Sequence, residues 1–149
     1  MAGAPIYAAV VAPRVPVVLQ ARALLILALA QVLLRRQGTA AALRLLARRR
    51  RNPRSLEPPV AMRAVRRAGR LTRGACLSQA VALTALLTRA GEDPTLVLGC
   101  RRYREGVWGA HAWVDLDGEQ LEPVASEEHQ LLATCRPEHD WVPTPPSAD

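Results

Sequence analysis

From residue 17 to residue 34 the chain is apolar at almost every position, with only Gln20, Arg22 and Gln31 interrupting it. A second apolar stretch opens at Cys76 and ends at Gly91. Within it Cys76, Ala80, Leu83 and Leu87 recur at helical spacing and share one stripe, which faces the core of the expected fold. Gly74 breaks the preceding helix, and Gly91 stands where a C′ glycine ends the next. Beyond Gly91 the period shortens. Residues 94–102 read as a strand, Arg104-Glu105-Gly106 as a turn and residues 108–116 as a second strand. Asp117-Gly118 is a two-residue hairpin signal, and residues 119–124 return. Pro13, Pro16 and Pro53 punctuate the helical segments. Pro58-Pro59 divides an N-terminal helical arm, residues 1–58, from a region spanning 59–142, and residues 143–149 read as a disordered tail. No internal repeat is present.

The apolar N-terminal segment needs a role. Its longest clean run, residues 23–30, is too short to cross a bilayer. No small-residue cleavage site follows it, so a signal peptide fits poorly. Packing against the domain or a partner is the first expectation, and peripheral membrane contact the second.

Candidate chemistry sits where the two periodicities meet. Cys76 falls at the first turn of its helix, beside backbone donors that no helical bond uses. Such a position favours a thiolate and supplies donors for an oxyanion. His111 lies on the strand after it, and an imidazole there takes the thiol proton and later protonates a leaving amine. The hairpin register supplies a third group. With Asp117-Gly118 at the tip, Leu116 pairs with Glu119, Trp113 with Glu122 and His111 with Val124. Glu122 thus shares the face of His111 one diagonal step away, roughly 7–8 Å at Cα. Asp115 shares that face but lies roughly 13 Å along the strand. Glu122 is therefore the expected orienting carboxylate.

These residues resemble a known family. Cys76-Leu77 opening an apolar helix, then Gly91, then Val97-Leu98-Gly99-x-Arg101, then Ala110-His111-Ala112-Trp113-Val114 and Asp117-Gly118, are similar to the transglutaminase-like cysteine protease superfamily. More narrowly, they look like the stand-alone leader peptidases of lasso peptide biosynthesis. The resemblance covers roughly residues 59–124, and the arginine-rich stretch 62–71 fits it as a helix. It implies an α+β fold with a transglutaminase-like (papain-like) core: N-terminal helices, a central helix bearing the cysteine, and a small antiparallel sheet. It assigns Cys76 as nucleophile and His111 as its base. The family's acidic member stands beside a proline on the strand after the hairpin, where this chain has Glu122-Pro123, with glutamate in place of aspartate. Gln79 stands where such helices often carry arginine.

Composition narrows the remaining possibilities. The 149 residues support one domain with a modest core. Lysine and phenylalanine are both absent. Cys76, Cys100 and Cys135 are too widely spaced for a disulfide framework or a metal site, and free thiols suit a reducing cytoplasm. Cys100 reads as a buried strand residue and Cys135 as a loop residue. His129 and His139 lie in a polar C-terminal stretch and lack ligand-like spacing, so neither metal nor cofactor is expected. The net charge of +7 is divided unequally: residues 1–73 hold 15 arginines and the single acid Glu57, while residues 74–149 hold five arginines and 12 acids. The basic half includes Arg48-Arg49-Arg50-Arg51. Nucleic-acid binding is disfavoured, because that half has no aromatic for base stacking except Tyr7. An acidic leader peptide, a partner protein or an anionic membrane suits the basic face better.

The expected activity is thus hydrolysis of one peptide bond in a ribosomally made precursor by a cytoplasmic or membrane-associated enzyme. The resemblance implies two partners, a separate leader-recognition protein and an ATP-dependent macrolactam cyclase. A transglutaminase-like acyltransferase and a non-catalytic binding scaffold of the same fold are the alternatives.

Overall fold

The computed structural model describes residues 14–48, 55–102, 106–121 and 129–145. Four helices precede the sheet. Helix α1 (Val17–Gln37) follows Pro16 in extended backbone and ends at Gly38, where α2 (Thr39–Leu46) turns away. Pro58 and Pro59 occupy the first positions of α3 (Pro58–Thr72), where the missing N–H groups are no loss and the fixed φ suits a helix. That helix ends in a left-handed residue, but the residue is Arg73 (φ 51°), not Gly74 as the sequence suggests. A side chain in that region costs ~1–2 kcal/mol. Gly74 N–H then donates back to the Gly69 carbonyl at 3.0 Å and closes the turn.

Helix α4 (Cys76–Ala90) is the centre of the molecule and ends as expected at Gly91, whose φ of 99° is glycine territory. Its stripe reading was too narrow. From Ala80 to Thr88 every residue is buried, because α1, α2 and α3 cover it on one side and the sheet on the other. Two buried hydroxyls are reconciled with this setting by bonds within the helix, Thr84 to the Ala80 carbonyl and Thr88 to the Thr84 carbonyl.

The sheet is antiparallel throughout, with β1 (Thr95–Arg102), β2 (Trp108–Leu116), β3 (Glu119–Gln120), β4 (His129–Cys135) and β5 (Val142–Pro143) arranged β3-β2-β1-β4-β5. Both residues of the Asp117-Gly118 turn have positive φ, which matches strand twist in a tight hairpin. Strand β4 departs from the sequence reading: Cys135 is not in a loop but closes this strand opposite Leu96, fully buried. Its partner β1 lies more than 30 positions upstream, and no local signal announces such a pairing. Pro143, the first residue assigned to the tail, lies in β5 opposite Ala133.

One cluster of buried side chains spans Leu19 to Cys135. Leu27, Leu43, Leu83 and Leu87 are fully enclosed in it, each worth ~1.5–3 kcal/mol of burial. Leu96, Ala112, Val114 and Leu116 join it from the sheet, so they define the face that meets the helices.

Candidate active site

The start of α4 is built so that its backbone donors keep no side-chain cap. Ala75, the residue before the helix, has nothing to accept with, and no acid stands in the first turn. The positive end of the helix dipole and several free N–H groups therefore converge around Cys76. The polar side chains of that turn bond carbonyls instead. Ser78 Oγ donates to the Ala75 carbonyl at 2.8 Å, and Gln79 Nε2 to the Gly74 carbonyl at 2.7 Å. Gln79 reaches this position only because α3 carries glycine beside it. A Cβ on Gly69 would stand 2.5 Å from Gln79 Cδ. On the α1 side, a Cβ on Gly74 would meet Gln31 Nε2 at 3.1 Å and Leu27 Cδ2 at 3.4 Å. The loop delivering Cys76 is thus gripped by α1, α3 and α4. Cys76 itself is half-buried and packs against the helical core.

His111 comes from β2, which lies directly against α4. It stands opposite Gly99 of β1. Alternation along β2 puts His111 with Trp113 on the face away from Ala112, Val114 and Leu116. There the imidazole stacks on the Trp113 indole, ring centroids 6.0 Å apart and planes 22° apart. The indole in turn lies over Gly99, where a Cβ would come within 2.6 Å of it. The elements that carry Cys76 and His111 therefore pack together, but the imidazole is seated on Trp113 on the sheet face away from α4, and the structure does not bring it to the thiol.

Glu122 lies outside the described residues, as does Val124. The hairpin leading toward them keeps the expected register as far as it is described: Leu116 opposite Glu119, Asp115 opposite Gln120, then Leu121 N–H donating to the Val114 carbonyl at 3.0 Å. Asp115 shares the imidazole's face, but Trp113 stands between the two. One carboxylate oxygen of Asp115 is buried with no hydrogen-bond partner among the described residues.

Of the other thiols, Cys100 is half-buried in β1. Burial pushes the Cys135 thiol above its ordinary range, and Asp140 adds to this against the opposing pull of Arg44. Ser78 and Gly69 escaped the sequence reading. A small polar residue at the third helical position was the available signal for Ser78. Gly69 had none, because its role lies in a contact between two helices.

A thiol at an uncapped helix start, beside N–H groups that no side chain caps, suits nucleophilic chemistry on acyl groups. The family model of the Transglutaminase-like superfamily matches residues 21–134, and the chain belongs to that superfamily. The match runs from within α1 to within β4, so it takes in both Cys76 and His111. Members are often cysteine proteases or acyltransferases. No curated protein and no solved structure matches the chain.

Proposed function

We propose that this chain is a cysteine peptidase that removes the leader from a ribosomally made precursor during lasso peptide maturation. The observation that carries the thiol chemistry is the first turn of α4, where Cys76 sits among donors that no side chain caps. In this reading Cys76 Sγ attacks the scissile carbonyl carbon, and the free N–H groups hold the charge that develops on its oxygen. His111 accepts the thiol proton and returns it to the departing amine, with Glu122 orienting the ring. Water then hydrolyses the thioester. The proton transfer needs the imidazole within about 3 Å of the sulfur, and the ring stands on Trp113 on the sheet face away from the helices, so in this reading β2 itself must be rearranged against α4 in the working enzyme.

The narrower assignment to lasso leader removal rests on the order of Cys76-Leu77, Val97-Leu98-Gly99-x-Arg101, Ala110-His111-Ala112-Trp113-Val114 and Asp117-Gly118. It brings with it a leader-recognition protein and an ATP-dependent cyclase as partners, and a cytoplasmic site of action. The test is mass spectrometry of a precursor peptide incubated with the purified chain and its recognition protein. Release of the intact leader, absent with Cys76→Ala, is the expected result. Transfer to added amines in preference to water makes the protein an acyltransferase instead, and an unchanged precursor removes the peptidase reading.

A further inference from the structure

Helix α1 is apolar on its outer side as well as its inner one. Val18, Leu25, Leu29 and Val32 are 70%, 61%, 44% and 50% exposed, and their spacing sets them in one stripe along the helix. Alanines fill the gaps in the stripe at positions 21 and 28, both exposed. Arg22 lies half-buried at the edge of this stripe, while the two glutamines point the other way. Gln20 Nε2 donates to the Ala64 carbonyl of α3 at 3.1 Å, and Gln31 Nε2 lies 3.5 Å from Thr72 Oγ1. A surface helix is ordinarily apolar inward and polar outward, whereas α1 is apolar on both faces.

Charge completes the pattern. Arg14 stands exposed just before the helix, and Arg35 and Arg36 stand exposed in its last turn. Residues 14–48 contain no acid at all. An apolar stripe is thus closed at both ends by guanidinium groups. A groove of ≈ 430 Å³ adjoins it, with Leu25 and Leu29 on one wall and Leu56 and Leu86 on another, and Arg22 and Arg89 also line it.

We propose that this face of α1 docks the protein on an anionic membrane surface, the stripe lying in the acyl boundary and the terminal arginines on lipid phosphates. Such a helix lies in the plane of the membrane. Although α1 is long and apolar enough to cross a bilayer, Leu19, Ala23, Ile26, Leu27 and Ala30 are buried against the rest of the fold, and spanning would strip them from it. Charge also separates lipid from a second copy of the chain. Two stripes laid together, in either direction, bring arginine against arginine, whereas phosphates neutralise both ends.

The full chain is co-sedimented with vesicles of phosphatidylcholine alone and of phosphatidylcholine mixed with phosphatidylglycerol. Binding to the mixed vesicles, weakened by salt and far weaker on neutral ones, is expected. The double change Leu25→Gln and Leu29→Gln should reduce it about tenfold or more by removing apolar contact. Arg35→Gln with Arg36→Gln should reduce it about tenfold on the anionic vesicles and little on the neutral ones. All four side chains are exposed, so thermal unfolding of both variants should match the parent. The proposal falls if the parent binds neither vesicle, or if both variants bind like the parent. It also falls if light scattering shows a dimer that the leucine variant dissolves, which gives the stripe to a second copy.

Discussion

The cysteine end and the histidine end of the site are held by different kinds of structure. Cys76 is fixed by short-range devices: an uncapped turn, two side-chain bonds to the carbonyls of Gly74 and Ala75, and a glycine that lets Gln79 approach. His111 is fixed by the register of a sheet and by one aromatic stack on Trp113, itself seated over Gly99. The first arrangement holds the thiol through contacts within a few residues of it. The second leaves an imidazole half-buried on the sheet face away from the helices.

The sharpest way to break this comparison is to delete each end. Cys76→Ala should abolish acyl chemistry while lowering stability by no more than about 1 kcal/mol, because only a small half-buried group is lost. His111→Ala should match it in severity, since such groups act as a unit. Turnover of precursor and a melting curve check both. A merely few-fold loss for His111→Ala assigns the imidazole to packing on Trp113 and moves the base elsewhere.

Next in size is the carboxylate. Glu122→Gln should leave a small, measurable fraction of the rate, because nucleophile and oxyanion donors survive. Asp115→Asn is its control. Trp113 separates Asp115 from the imidazole, so the rate should hold. The opposite result in kinetics gives the orienting role to Asp115.

A subtler change separates positioning from stability at the cysteine end. Gly69→Ala adds a methyl where Gln79 now lies, and the flexible amide must leave the Gly74 carbonyl. Alanine is worth up to about 1 kcal/mol over glycine within a helix. The expected outcome is an unchanged or raised melting temperature with a several-fold fall in rate, read from kcat in parallel with the melt. If both stay level, Gln79 is dispensable to the thiol.

The smallest effect is in reactivity. At neutral pH iodoacetamide should label Cys76 first, then Cys100, with Cys135 last because it is buried and its thiol is pushed upward. Peptide mapping of the labelled protein checks the order.

Local signals carried much of this. Gly91, the Asp117-Gly118 turn and the strand around His111 were legible because turn chemistry and two-residue alternation act over a few positions. Helix α4 was legible as a helix, but its burial on all sides was not, since that depends on which elements wrap it. Strand β4 went unread because polar residues surround Leu131 and Leu132, and its identity comes from pairing with β1. At the site, the cysteine's turn was visible in Gly74, Cys76 and Gln79, while its grip by Gly69 needed two helices in contact. The outward apolar face of α1 was hidden for the same reason: an almost wholly apolar segment does not say which side its neighbours cover.

The complete burial of α4 has a consequence for exchange of its amide hydrogens with solvent. From Leu83 to Leu87 the amides lie at the centre of the molecule, so they should open only when the whole molecule unfolds and exchange slowest of all. The amides of Cys76, Leu77 and Ser78 precede the first helical bond, which Gln79 N–H makes to the Ala75 carbonyl, and should exchange far sooner. Two turns of one helix thus join the slowest clock in the protein to one of its fastest, with the thiol on the fast side. Under the proposed mechanism, the donors offered to a substrate oxygen belong to the fast end of a helix whose middle opens last.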